Sequence, residues 1–289
     1  KDAKTPLSTF NMTEGNVTLY AIFKKDAKTI TLTFNRNGAL NQIGTAGTSA
    51  NDKITETCTI AEVYNNEVQA ETCNITAPTI TPATGFTTLG YETSAGSTTA
   101  SWTQNTSKEV SADATYYAIT KSESPYTANF NQNGATSISS NTESCYRYNG
   151  AESCNITTPT ITREGFNIAG WGEEATSTTA TVQANSTLAL NKNATYYAVT
   201  SKQINVTYQK GANIASIGAE SGKCTIQNNN STCQITLPSI TPTTGYVSVG
   251  WNTTSGATTG TPAGSNVTLS NDATYYANAV DNAGPEISF

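Results

Sequence analysis

The chain has 289 residues, a net charge of −6, and a composition that is 36% hydrophobic and 12% charged. Charge this thin, with no basic run, argues against a nucleic-acid partner, and no apolar stretch is long enough to span a bilayer. Histidine is absent, which removes the usual catalytic triads and most metal sites, so no cofactor and no enzymatic activity are expected.

The remaining composition is dominated by Thr, Ser, Asn, Gly and Ala, but evenly spaced aromatics point to folded β structure rather than disorder. Residues 157–171 read TTPTITREGFNIAGW, and close copies end at Tyr91 and Trp251. Tyr91, Trp171 and Trp251 recur at a constant interval of 80 residues, as do Gly85, Gly165 and Gly245. Such a period marks tandem copies of one small unit whose core is marginal on its own.

In chain order, residues 1–27 end in GNVTLYAIFKKD and read as the close of a preceding copy. Three complete copies follow, over 28–121, 122–202 and 203–280. Residues 281–289, DNAGPEISF, change character and read as the start of another module. The N-terminus, KDAKTPLSTF, is unlike a signal peptide, so a segment from the middle of a longer protein is expected.

Each copy opens with an alternating run, TITLTFNRNG, YTANFNQNG or INVTYQKGA. Period-two alternation predicts a strand with one buried face, and Asn37-Gly38 and Asn133-Gly134 are turn formers at its end. A cysteine pair comes next: Cys58 with Cys73, Cys145 with Cys154, Cys224 with Cys233. Asn149-Gly150 between the second pair is a strong hairpin-turn signal, and QNNNST takes that place in the third copy. None of the pairs has CxxC spacing, so three local disulfides in an oxidising, extracellular setting are expected rather than zinc. Each is expected to staple the two strands of its hairpin and fix their register.

A Pro-Thr segment then leads through Gly85, Gly165 or Gly245 into an aromatic strand. Tyr91, Trp171 and Trp251 sit at the same place in each copy and are expected in the core. Every complete copy closes with Tyr-Tyr-Ala, and neighbouring strand residues face opposite ways. Tyr116, Tyr196 and Tyr275 are therefore paired with Tyr117, Tyr197 and Tyr276, and the latter three are the candidate contact surface. Glu173-Glu174 reads as a solvated turn. Lys28 and Lys202 precede opening strands, but the second copy has Ser124-Pro125 there, so no repeated isopeptide cross-link is expected.

This order of motifs resembles the Listeria–Bacteroides repeat family, also called internalin-type B repeats. The likeness rests on Asn133-Gly134, on Thr162-Arg163-Glu164-Gly165-Phe166, on Gly170-Trp171, on Tyr196-Tyr197-Ala198 and on Leu19-Tyr20-Ala21. The added cysteines and Tyr91 in place of Trp depart from the family's pattern. The resemblance implies small β-grasp-like domains in a linear array on bacterial surface proteins. It also implies a spacer or adhesive stalk, extracellular at the cell surface or cell wall.

The combined expectation is a mainly β tandem array with one local disulfide hairpin per copy. Its job would be to project a head domain, and its first partners would be the neighbouring repeats of the same chain. Segments as short as Ser122 to Pro125 favour a semi-rigid stalk. Two other readings stay open: direct adhesion to a host glycan or protein through exposed aromatics, and self-association into an extracellular filament.

Overall fold

The computed structural model describes residues 4–11, 15–38, 40–45, 52–65 and 67–282. Residues 283–289, most of the stretch read as the start of a following module, lie outside the described residues. So do residues 1–3 and 12–14 of the segment read as the end of a preceding copy. Strands are the only regular elements among the described residues. The chain divides into two compact units, one of residues 1–126 with 145–154, the other of residues 127–144 with 155–289.

In the first unit, KTITLTFN forms the opening strand Lys28–Asn35. Its alternation puts Ile30, Leu32 and Phe34 on one face, all fully buried. That strand lies parallel to the closing strand Ala114–Ser122, with Phe34 opposite Tyr116. Antiparallel strands flank the pair: Lys53–Ile60 beside the opening strand and Phe86–Glu92 beside the closing one. Two small ladders complete the unit's first copy, Leu40–Ile43 with Ile80–Pro82 and Cys73–Thr76 with Ser107–Val110. Phe34 is the centre of the aromatic core, 4.9 Å from the Tyr91 ring and 5.5 Å from Trp102.

In the second unit one 17-residue strand, Ala194–Lys210, closes the second copy and opens the third. Residues Ala194–Tyr197 pair in parallel with Ala128–Asn131 of the second copy's opening strand. Farther along, Val206–Lys210 pair in parallel with Ala273–Ala277 of the last closing strand. Asn167–Gly172 and Ser221–Gln227 run antiparallel to the same long strand, and Tyr246–Asn252 pairs with Ala273–Asp281. Phe130 lies 4.7 Å from Trp171, and Tyr208 lies 5.1 Å from Trp251. The opening-strand aromatic therefore meets the Gly-aromatic residue in every copy.

The glycine before that aromatic has a steric reason. Gly90, Gly170 and Gly250 adopt φ of 127°, 127° and 101° at bulges in the aromatic strand. A Cβ on any of them would lie within 2.4 Å of a carbonyl oxygen on the crossing segment, that of Trp102, Val182 or Thr261. The same carbonyls accept the backbone N–H of Tyr91, Trp171 and Trp251 at 2.7–2.8 Å.

The three disulfides form within their own copies: Cys58–Cys73, Cys145–Cys154 and Cys224–Cys233. Their architecture differs from a stapled two-stranded ladder. In the first and third copies the two cysteine-bearing strands are not paired with each other. Lys53–Ile60 and Ser221–Gln227 belong to the main sheets, whereas Cys73–Thr76 and Cys233–Thr236 pair with Ser107–Val110 and Asn266–Leu269. Each bridge therefore joins two sheets. The first arm pairs with the opening strand and stands at the end of its sheet, while the second arm pairs with a strand of a separate two-stranded ladder.

Candidate functional site

The tip of each cysteine loop reaches the end of the preceding closing strand. In the second unit, Ile226 and Gln227 pair with Lys202 and Ser201, extending the antiparallel ladder back into the second copy. In the first unit, Tyr148 bridges Lys121, and Tyr64 and Val63 pair with Lys24 and Lys25. The sequence signal for this tip was the Asn-Gly turn, and the structure shows what the asparagine does besides turning.

Asn65, Asn149 and Asn228 all adopt the left-handed conformation, with φ of 55°, 51° and 49°. Asparagine tolerates that region because its short polar side chain can bond locally. Here it bonds across the junction. The backbone N–H of Asn65, Asn149 and Asn228 donates to the carbonyl of Phe23, Thr120 and Thr200 at 2.7, 3.0 and 2.9 Å. In return the N–H of Phe23, Thr120 and Thr200 donates to the asparagine Oδ1 at 3.2, 3.0 and 3.1 Å.

The amide nitrogens complete the dock. Asn149 Nδ2 donates to the carbonyls of Ala95 and Ser97, both at 3.0 Å. Asn228 Nδ2 donates to the aligned carbonyls of Ala175 and Ser177, at 3.2 and 2.8 Å. One side chain thus offers an acceptor to a strand N–H and two donors to a loop, which asparagine supplies and aspartate cannot. Room for it comes from glycine. A Cβ at Gly38 or Gly134 would stand 1.8 or 2.6 Å from the carbonyl oxygen of Asn149 or Asn228. The glycines read as turn formers at the end of the opening strands thus also clear the way for the next copy's loop.

An arginine strengthens each of the two fuller docks. Arg163 stacks its guanidinium 3.5 Å from the Phe166 centroid, donates to Thr200 Oγ1 at 2.7 Å, and also bonds the Asn228 carbonyl. Partial burial pulls its pKa below the ordinary arginine value. Around Asn149 the arginine comes from the loop: Arg147 lies 5.1 Å from Phe86 and 4.6 Å from Tyr126. Its N–H bonds Ser122 Oγ at 3.1 Å, and Ser122 N–H bonds its carbonyl at 2.9 Å. Beside Asn65 an ion pair stands where the other docks have an arginine. The Glu62 carboxylate accepts the Tyr64 hydroxyl at 2.8 Å and lies 3.4 Å from Lys24 Nζ, and these two contacts, the hydroxyl first, lower the Glu62 pKa.

Other residues singled out in the sequence fall as follows. Tyr91, Trp171 and Trp251 are almost wholly buried. The Trp171 and Trp251 indoles donate to the carbonyls of Pro159 and Pro238 at 3.0 and 2.8 Å. The Tyr91 hydroxyl is buried with no protein hydrogen-bond partner, and burial pushes its pKa far above the ordinary tyrosine value. Tyr116 and Tyr196 are buried, while Tyr117, Tyr197 and Tyr276 are half-buried. Among the described residues no group of three or more His, Cys, Asp or Glu is gathered as for a metal ion. Sequence reasoning missed Asn65 and Asn228 and took Asn149 for a turn residue alone. The available signal was an asparagine four residues after the first cysteine in the second and third copies.

Comparison with known proteins gives one result. The model of the Listeria-Bacteroides repeat domain matches residues 126–199 and 205–278. No curated protein and no solved structure matches the chain. The two matched stretches span a little over half of the sequence and contain the opening, aromatic and closing strands of the second and third copies. With that coverage and the tandem β architecture around it, the chain belongs to the Listeria-Bacteroides repeat family.

Proposed function

We propose that this chain is a non-enzymatic stalk or spacer segment of a secreted or cell-surface bacterial protein, holding a more specialised domain away from its anchor. The observation that carries this reading is the asparagine dock, formed three times with the same reciprocal backbone bonds. Such a dock couples successive copies, and coupling between neighbours is what stabilises a linear array. The disulfides support an oxidising, extracellular location. The β-grasp-like reading of each copy rests on its central parallel pair of strands with antiparallel neighbours, 28–60 and 86–122 in the first copy. Tyr117, Tyr197 and Tyr276 are the surface proposed for contact with neighbouring copies or a ligand.

The deciding experiment combines calorimetry with binding. A spacer whose copies are docked unfolds as a coupled unit, and Asn149→Ala and Asn228→Ala split that transition without changing any surface interaction. Specific capture on a glycan or host-protein array, lost on replacing Tyr117, Tyr197 and Tyr276 by alanine, would replace the spacer by an adhesin. Particles that lengthen with concentration in light scattering would replace it by a filament subunit.

A further inference from the structure

The surroundings of the loop that receives the asparagine differ in the third copy at three positions. Phe34, Phe130 and Tyr208 occupy one register position, each opposite the first tyrosine of a Tyr-Tyr pair. Four residues beyond stand Gly38 and Gly134, which clear space for the incoming loop, but Ala212 in the third copy. Three residues beyond stand Asn37 and Asn133, whose Nδ2 atoms donate to the receiving carbonyls of Ala95 and Ala175 at 2.7 and 2.8 Å. The third copy has Gly211 there, with no side chain to brace the loop.

The third change lies on the closing strand. Ile119 and Val199 follow the Tyr-Tyr-Ala motif and are buried, whereas the aligned residue of the third copy is Asn278. Asn278 is 2% exposed and turns its amide into its own copy's loop. Gly256 N–H donates to its Oδ1 at 2.8 Å, and its Nδ2 donates to the carbonyls of Thr254 and Tyr276 at 3.2 and 3.1 Å. The loop is rebuilt around this amide: Gly256 has φ of 76°, while the aligned Gly96 has no positive φ.

We propose that the third copy is a cap of the docked array, its acceptor slot closed from within by Asn278 and Ala212, so that a further repeat placed after it cannot seat its loop. This rests on the docking reading above. A cap of this kind decides where a semi-rigid segment ends and where an independently moving module begins. It is the counterpart, on the acceptor face, of the terminal repeats that close other linear arrays.

The test inserts a second copy of residues 203–281 between Asp281 and Asn282 of the full chain and follows amide hydrogen exchange by NMR. The Thr200 amide, bonded to Asn228, reports a seated junction, and Ala279 is its counterpart in the third copy. The expected result is an Ala279 amide that exchanges at least about 100-fold faster than Thr200, on the scale separating open from closed segments. Replacing Ala212→Gly, Gly211→Asn and Asn278→Val together brings Ala279 to the protection of Thr200.

An Ala279 amide as protected as Thr200 in the natural background overturns the cap. So does a triple variant that gains no protection while the inserted copy is folded and its disulfide formed. In the uninserted chain, Val199→Asn is expected to fill the second copy's slot and release Asn228, and unchanged protection of Thr200 there also overturns it. Failure of the underlying docking reading looks different: Thr120 and Thr200 themselves would exchange freely in the natural chain.

Discussion

The docks around Asn149 and Asn228 use the same bonds on different covalent backgrounds. At Asn228 the closing strand runs on without a break through Lys210, and the asparagine is buried, 5% exposed. At Asn149 the strand ends at Ser122, Glu123 N–H bonds the Gly85 carbonyl, and Ser124-Pro125 follow, with proline unable to donate to a ladder. Asn149 is half-buried. The arginine also changes sides, from the receiving copy at Asn228 (Arg163) to the docking loop at Asn149 (Arg147), and each lies over the aromatic residue that follows a positive-φ glycine. The asparagine dock is therefore independent of strand continuity.

Removing a bridge should have the largest effect on that comparison. Replacing Cys224 and Cys233 together by alanine is expected to cost about 3 kcal/mol in urea unfolding. Because the bridge joins the loop's two sheets, it should also loosen Asn228, visible as faster exchange of the Thr200 amide. Next is Asn228→Ala, which strands the Thr200 N–H and two carbonyls in a buried place and puts alanine at a positive φ. A loss of about 2–3 kcal/mol is expected, with about 1–2 kcal/mol for Asn149→Ala and under about 1 kcal/mol for exposed Asn65→Ala. Equal losses at Asn149 and Asn228 would show that burial and strand continuity do not matter to the dock.

Arg163→Ala and Arg147→Ala should each cost about 1 kcal/mol, and thermal melts of the two single variants should agree if the side from which the arginine comes is immaterial. The smallest effect has the opposite sign. Tyr91→Phe removes a buried hydroxyl without a partner and is expected to be neutral or to stabilise by up to about 1 kcal/mol. The pH profile follows from the same residue. Burial raises the tyrosine pKa of Tyr91, Tyr196 and Tyr208. The folded state therefore holds protons that the unfolded chain releases from about pH 10 upward, so stability is complete below that pH and falls as pH rises beyond it. Melts at pH 9 and 11 should show a smaller drop for Tyr91→Phe.

Much of this was legible before any coordinates. The constant 80-residue interval, the alternating KTITLTFN, the Gly-aromatic pairs and the paired cysteines report local pattern, and local pattern governs strand formation and nearest-neighbour loops. Asn149-Gly150 was read correctly as a turn, with both residues at positive φ. What it left out was the far side of that turn. Thr120, Ala95 and Ser97 are distant in the chain and carry no motif, because they receive the asparagine through backbone atoms that every residue possesses. The pairing of the cysteine arms went astray for a related reason. Proximity in sequence favoured a ladder between them, whereas the second arm pairs with Ser107–Val110 or Asn266–Leu269, farther along the chain.

The amino-acid order by itself determined that this is a chain of similar β-rich copies, each with its own sulfur bridge and aromatic centre, since periodicity and side-chain polarity are properties of neighbours along the chain. Tertiary structure alone decided that the bridges join sheets, that the loop asparagines bond the end of the preceding closing strand, and that Asn278 turns inward. Those outcomes depend on which backbone carbonyls and N–H groups come within hydrogen-bonding reach once the strands have packed.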